Sequence, residues 1–197
     1  MLVEWNSYDN QIYTFGKGAS ATTVTIQDDV ITDGDTVLIK GMITDESPGT
    51  KNSDREARFP DGVPAIADQD MSPWMEYIYM QQPKPTDATG VEVTLSVLDP
   101  NNNRYDIGTT TSDVNGMYKL GFKPEVPGEY TVIARFAGSE SYWGSSGQTA
   151  ILVEEAPLPE PTPTPTPAPM TDTYLTGSTI AILAGIAIAV FLILRKK

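Results

Sequence analysis

Asp68, Asp70 and Glu76 fall within a dozen positions of sequence that also hold Trp74, Tyr77 and Tyr79. Carboxylates can move a proton at a glycosidic bond, and flat rings can stack on the apolar face of a sugar. The grouping therefore suggests glycan binding and, more remotely, carboxylate-driven hydrolysis. A plainer alternative is that Trp74 and its neighbours pack a long connection onto a sheet. A second aromatic pair, Tyr142-Trp143, joins Trp74, Tyr77 and Tyr79 as the candidate ligand-facing positions.

Other chemistry is sparse. Asp99, Asn101 and Asn103 alternate as oxygen ligands of a calcium loop would, but Arg104 stands where that loop needs glycine and Thr110 where it needs glutamate. A hairpin turn rich in Asp and Asn is the better reading. The chain has no cysteine and no histidine, which removes disulfides, thiolate chemistry, imidazole-ligated zinc and the commonest general base. Catalysis is not expected, and no cofactor or metal is implied.

The elements that must position these residues divide at the C-terminal end. Leu175 to Leu194 carries no ionisable side chain, and at 1.5 Å per residue its 20 positions span roughly 30 Å, one bilayer core. Arg195, Lys196 and Lys197 follow it and mark a cytoplasmic side by the positive-inside bias. The rest of the chain then faces outward, with ten basic residues against 26 acidic ones. Such a surface excludes nucleic acid as a partner. The bilayer is the expected partner. Gly177, Ala181, Gly185 and Ala189 recur every four residues and could let two such helices approach closely, a route to a homodimer. With no charge inside the span, a channel or transport role has no support.

Upstream, the pattern is all-β. TTVTIQ (22–27), DTVLIKGMITD (35–45), VEVTLSVL (91–98), GMYKLGF (116–122), EYTVIARF (129–136) and TAILVE (149–154) read as short strands, several alternating apolar and polar residues. Asp33-Gly34, Asp99-Pro100, Asn115-Gly116 and Pro127-Gly128 supply the turns. The expected architecture is an Ig-like antiparallel β-sandwich over 21–155 with an insertion at 46–90. A Pro/Thr-rich linker (156–173), a transmembrane helix (174–194) and a basic tail (195–197) complete it.

Within the insertion, residues 47–62 are polar and read as loose. Residues 71–83 favour a helix with Ser72 as N-cap and Pro73 at the first position, although the alternation of Met75, Tyr77 and Tyr79 also permits a strand. PLPEPTPTPTPAP (157–169) reads as an extended polyproline stalk of roughly 40 Å. Residues 1–20 hold one stray strand around Ile12–Phe15 whose partners are not evident. The first ten residues do not read as a secretory signal, so the chain is expected to be the C-terminal piece of a longer exported protein.

GTTTSDVNGMYKLGFKPEVPGEYTVIARFAGSESYWGSS (108–146) resembles bacterial and archaeal Ig-like surface domains, and carboxypeptidase-regulatory-like and macroglobulin-like sandwiches share its pattern. The layout, with WMEYIYMQQP and the stalk-helix ending, is similar to the C-terminal region of archaeal surface proteins. In those, a PQQ-like β-propeller precedes an Ig-like domain and a membrane anchor. YDNQIYTFGKG (8–18) would then match a closing propeller strand. The resemblance implies a cell-surface anchor or spacer module with an upstream propeller as partner. Its alternative is a ligand-binding module for glycan or protein that uses the aromatic insert 71–82.

Overall fold

The computed structural model describes residues 2–158 and 171–196, in two compact units, Met1–Pro157 and Leu158–Lys197. The chain opens on a two-stranded antiparallel hairpin, β1 (Leu2–Asn6) and β2 (Gln11–Phe15). The strand around Ile12–Phe15 is thus not a stray one. Its partner is the preceding segment, joined by a turn in which the Asp9 carboxylate accepts the Gln11 N–H at 3.0 Å. Leu2, Val3, Trp5, Ile12 and Phe15 are all exposed, so this hairpin is paired but covered on neither face.

Two larger sheets follow. One holds β4 (Val30–Thr32), β11 (Trp143–Glu154), β10 (Gly128–Gly138), β7 (Glu92–Leu98) and β8 (Arg104–Thr111), in that spatial order. The contact of β4 with β11 is parallel and the rest are antiparallel. The other is centred on β5 (Val37–Asp45), which pairs with β3 (Ser20–Ile26), the two-residue β6 (Val63–Pro64) and β9 (Met117–Phe122). Alternation decides which side chains go inward. Val37, Ile39 and Ile43 of β5, Val93, Leu95 and Val97 of β7, and Tyr130, Val132, Ala134 and Phe136 of β10 are all buried. Residues from both sheets meet in one apolar cluster, so each sheet supplies the apolar surface the other needs.

Gly41 shows why a residue without a side chain lies at the middle of β5. The ring of Tyr118 on β9 crosses it, and the Tyr118 hydroxyl donates to Thr23 O on β3 at 2.5 Å. A Cβ at Gly41 would collide with both partners. The Tyr118 hydroxyl is buried and titrates well above the usual phenol range.

The strand β8 is absent from the sequence expectation. The turn before it is held by Asp99, whose carboxylate accepts the N–H groups of Asn101 (2.9 Å) and Asn103 (2.7 Å) and the Asn103 amide (3.0 Å). Those bonds lower the Asp99 pKa, the Asn103 side chain contributing most. The Asp/Asn cluster is therefore a turn lock.

The insertion is ordered, contrary to the expectation of a loose 47–62. A 3-10 turn at Pro48–Lys51 leads into α1 (Ser53–Arg58), and a second at Asp68–Asp70 leads into α2 (Met71–Met80). The helix reading of 71–83 stands, but its start does not. The helix begins at Met71, so Pro73 is its third residue, and Ser72 lies inside it instead of capping it. Asp70 occupies the cap position, yet its carboxylate accepts the Thr89 N–H at 2.8 Å and not one from the helix.

The second unit contains α3 (Thr171–Arg195), in which Tyr174–Arg195 is long and apolar enough to cross a membrane. The hydroxyls of Ser178 and Thr179 donate to Leu175 O, at 3.0 and 2.7 Å, and so stay satisfied without water. Most of the Pro/Thr linker, from residue 159 to 170, and Lys197 lie outside the described residues.

Candidate functional site

The insertion packs a second, smaller cluster: Val63, Ile66, Trp74, Ile78 and Ala88 are buried, with Phe59, Met75, Tyr77 and Val114 against them. Trp74 and Ile78 are four apart on α2 and therefore share its inner face. Phe59, just past α1, meets Trp74 at 6.4 Å and Tyr77 at 6.0 Å between ring centroids, and the Trp74 and Tyr77 rings are 5.5 Å apart.

This packing divides the five candidate ligand-facing aromatics. Trp74 is fully buried and Tyr142 is 2% exposed, so neither offers a face to a ligand. The Tyr142 ring lies in the shared core, and its hydroxyl is 3.4 Å from the Asp45 carboxylate. Burial raises the pKa of both groups. Trp143, the next residue on a strand, necessarily points the other way and is 63% exposed, with the Lys17 ammonium 5.5 Å from its ring. Tyr77 is half-buried and Tyr79 exposed, both on α2. The five therefore do not converge on one surface. Tyr77 and Tyr79 line a common cavity.

The three carboxylates also separate by task. Asp68 accepts three bonds from the turn between β10 and β11: Ser139 Oγ at 2.8 Å, Glu140 N at 2.9 Å and Ser141 N at 2.9 Å. Desolvation opposes ionisation there, but hydrogen bonds from Ser141, Glu140 and Ser139 outweigh it and bring the Asp68 pKa down to about 2. Asp70 is held by the Thr89 N–H. Glu76 is exposed on α2. Two of the three are therefore tethers, with their oxygens turned to donors on the turn at 139–141 and at Thr89. Among the described residues, no three Asp, Glu, His or Cys side chains converge to hold a metal.

Two residues outside the sequence expectation complete the site. Arg55 and Arg58, one turn apart on α1, stack on Tyr79 and Tyr77 with guanidinium carbons 4.6 and 4.7 Å from the ring centroids. Arg58 donates to Ile78 O and Tyr77 O, each at 3.2 Å, and so caps carbonyls in the last turn of α2. These four side chains, with Gln81 and Gln82, border an open cavity of about 410 Å³. A second cavity, of about 350 Å³, lies on the far side of α1 beside the Lys51–Glu46 ion pair (2.5 Å). The only signal for the arginines in the sequence is their spacing in DREAR (54–58), which places both on one helix face.

In the second unit, Gly177, Ala181, Gly185 and Ala189 share one side of α3, and nothing lies within 4 Å of where a Cβ would stand on Gly177 or Gly185. Arg195 ends the helix and Lys196 follows in a turn.

No family model matches the chain, and no curated protein does. Among solved structures it is similar to the CARDB domain of a Pyrococcus furiosus protein in complex with di-metal ions, at 10% identity and a TM-score of 0.35, over 73% of this chain and all of that one. Spo0M, a sporulation control protein from Bacillus subtilis, is 12% identical with a TM-score of 0.32, over 70% of this chain and 50% of that one. A β-glucosidase from Listeria innocua in complex with glucose is 10% identical with a TM-score of 0.32, over 76% of this chain and 17% of that one. Likeness of this degree does not establish a fold or a function.

Proposed function

We propose that the first unit is an Ig-like β-sandwich serving as a non-catalytic extracellular spacer, and that α3 anchors it in a membrane with its basic end in the cytoplasm. The observation that carries this reading is the pairing, in one chain, of a self-contained β-unit with an apolar helix closed by Arg195 and Lys196. The sandwich is supported by the core that the two sheets share, and by Tyr130 near the start of β10. The Tyr130 hydroxyl donates to Val126 O at 3.0 Å and accepts the Val126 N–H at 3.1 Å, the corner by which a tyrosine fixes the entry to a late strand in such sandwiches. A partner β-domain would join at the hairpin β1–β2, whose apolar side chains are uncovered on both faces. This accords with the resemblance of 8–18 to a closing propeller strand. In this reading the β-unit supplies stiffness, the Pro/Thr linker supplies reach, and the helix prevents release.

The chain has no cysteine, so single introduced thiols report topology cleanly. In intact cells Asn102→Cys should react with a membrane-impermeant maleimide, and Lys196→Cys should react only after lysis. The reverse pattern would overturn the orientation. Removal of residues 171–197 should move the protein from the membrane to the soluble fraction, and retention at the membrane would overturn the anchor.

A further inference from the structure

We propose that the cavity between α1 and α2 binds a carboxylated sugar of the uronic-acid class, with Arg55 as the residue that receives the carboxylate. The proposal narrows the glycan-or-protein alternative suggested by the aromatic insert and stands apart from the anchoring role.

Arg58 and Arg55 make the case by contrast. Both hold a guanidinium over a tyrosine ring, 4.6 and 4.7 Å from the centroids, which still leaves its N–H groups to find acceptors. Arg58 directs those donors at two backbone carbonyls. The Arg55 guanidinium donates to no acceptor among the described residues, its buried Nε has no partner, and no carboxylate lies within ion-pair distance of it. A planar fork of N–H donors held against a ring is arranged for an in-plane, two-oxygen acceptor, and a carboxylate is the commonest.

The rest of the cavity fixes what the carboxylate is attached to. Gln81 and Gln82 bring amides that can donate to and accept from hydroxyls, and Asp54 brings a further acceptor. Tyr79, which is exposed, brings ring surface for the C–H face of a pyranose. Gln81 stands in the left-handed region (φ 56°), where glycine or asparagine would be the unstrained choice, and its position closes α2 beside the cavity. A volume of about 410 Å³ is at the small end of ligand sites, suited to one or two sugar rings. Charge sets the upper limit. The chain carries 26 acidic residues against 13 basic ones, so a polyanion is repelled overall while a single carboxylate can reach one unpaired arginine.

The test is calorimetric titration of the full chain in detergent with D-glucuronate, D-glucose and acetate, repeated on Arg55→Gln and Arg55→Lys. Saturable glucuronate binding that weakens with salt is expected. It should fall at least tenfold in Arg55→Gln, recover only in part in Arg55→Lys, and exceed the binding of glucose or acetate at least tenfold. Both substitutions lie on the exposed helix α1, and unchanged thermal unfolding would show that the fold is kept. No binding at millimolar glucuronate, or equal binding of glucose, would overturn the proposal, and equal binding of acetate would reduce the site to a bare anion site and overturn the sugar. A short uronate oligosaccharide distinguishes the source. Binding of the monomer alone, as the repulsion of a polyanion requires, supports a free sugar acid, and an oligosaccharide bound tighter than the monomer would overturn that charge limit.

Discussion

The core shared by the two sheets and the smaller cluster under the insertion both exclude water, but they are specified in different ways. The shared core is mostly aliphatic and is periodic. Its side chains come from strands whose ladders fix every second residue inward, so each inward position supports its neighbours. The insertion has no such period. Beyond the two-residue pairing of β6 with β5 and the bridge of Ile66 to Gly90, its cluster of Trp74, Ile78, Val63, Ile66 and Ala88 is held by point tethers: Asp68 on the turn at 139–141, Asp70 on Thr89, and Arg58 on the end of α2. A periodic core is defined many times over, and a tethered one only as often as it has tethers. The insertion should therefore open locally while the sheets stay folded.

Gly41→Val would strike the periodic core hardest. Its new side chain has no room between Thr23 and the Tyr118 ring, and the Tyr118 hydroxyl bond would be lost with it. The expected cost is upward of about 4 kcal/mol, the range of severe overpacking. A denaturant midpoint within the error of the parent would show that the Tyr118 crossing is wrongly placed. Trp74→Ala addresses the tethered cluster and should cost about 3 kcal/mol. In hydrogen exchange, protection should vanish from 53–80 and persist in β7 and β10. Uniform loss across both regions would erase the distinction between the two cores.

The smallest expected effect is the dependence on pH, to which two carboxylates contribute with opposite sign. Asp68 has a folded pKa of about 2, below its unfolded value of 3.8. Its contribution is therefore present above about pH 4 and is lost as the pH falls toward 2. Asp45, buried at the end of β5, has a raised pKa because of desolvation, only partly offset by the Ser47 N–H at 2.8 Å. Its contribution is greatest when protonated and declines as the pH rises through that raised value. Asp45→Asn should therefore raise the melting temperature near pH 7 and lose that advantage near pH 3, whereas Asp68→Asn should lower it near pH 7 and matter little near pH 2. Melting curves for both variants that run parallel to the parent across this range would refute the assignment.

The same contrast governs what could be read from sequence. Strands β5, β7, β9 and β10 are legible because their alternation runs for five residues or more. β8 is not, since RYDIGTTT carries Asp and Gly, and the register breaks opposite Leu95 and Ser96, which interrupts the period. β4 and β6 are too short to carry a period at all. In the insertion, the spacing of Trp74 and Ile78 reveals a helix, but its start depends on where Asp70 directs its oxygens, a long-range fact. Trp74 and Tyr142 read as ligand-facing because a polar neighbourhood makes a ring conspicuous, and burial is what sets them apart from Tyr79 and Trp143. Arg55 and Arg58 sit in the stretch that looked least structured, and their roles depend on rings twenty residues away.

The chain enters the sheets beside one end of β11 and leaves from the other. Gly18 bridges Tyr142 in parallel fashion, and its carbonyl accepts the Trp143 N–H at 2.8 Å, while Glu154 closes the strand twelve residues later. At about 3.3 Å per residue those two points are roughly 40 Å apart along one strand. A tug between the chain before Gly18 and the chain after Glu154 would run down the length of β11 and not peel it from an end. The β10 ladder on one side and the parallel pairing with β4 on the other would then be sheared, with their hydrogen bonds loaded together instead of one after another.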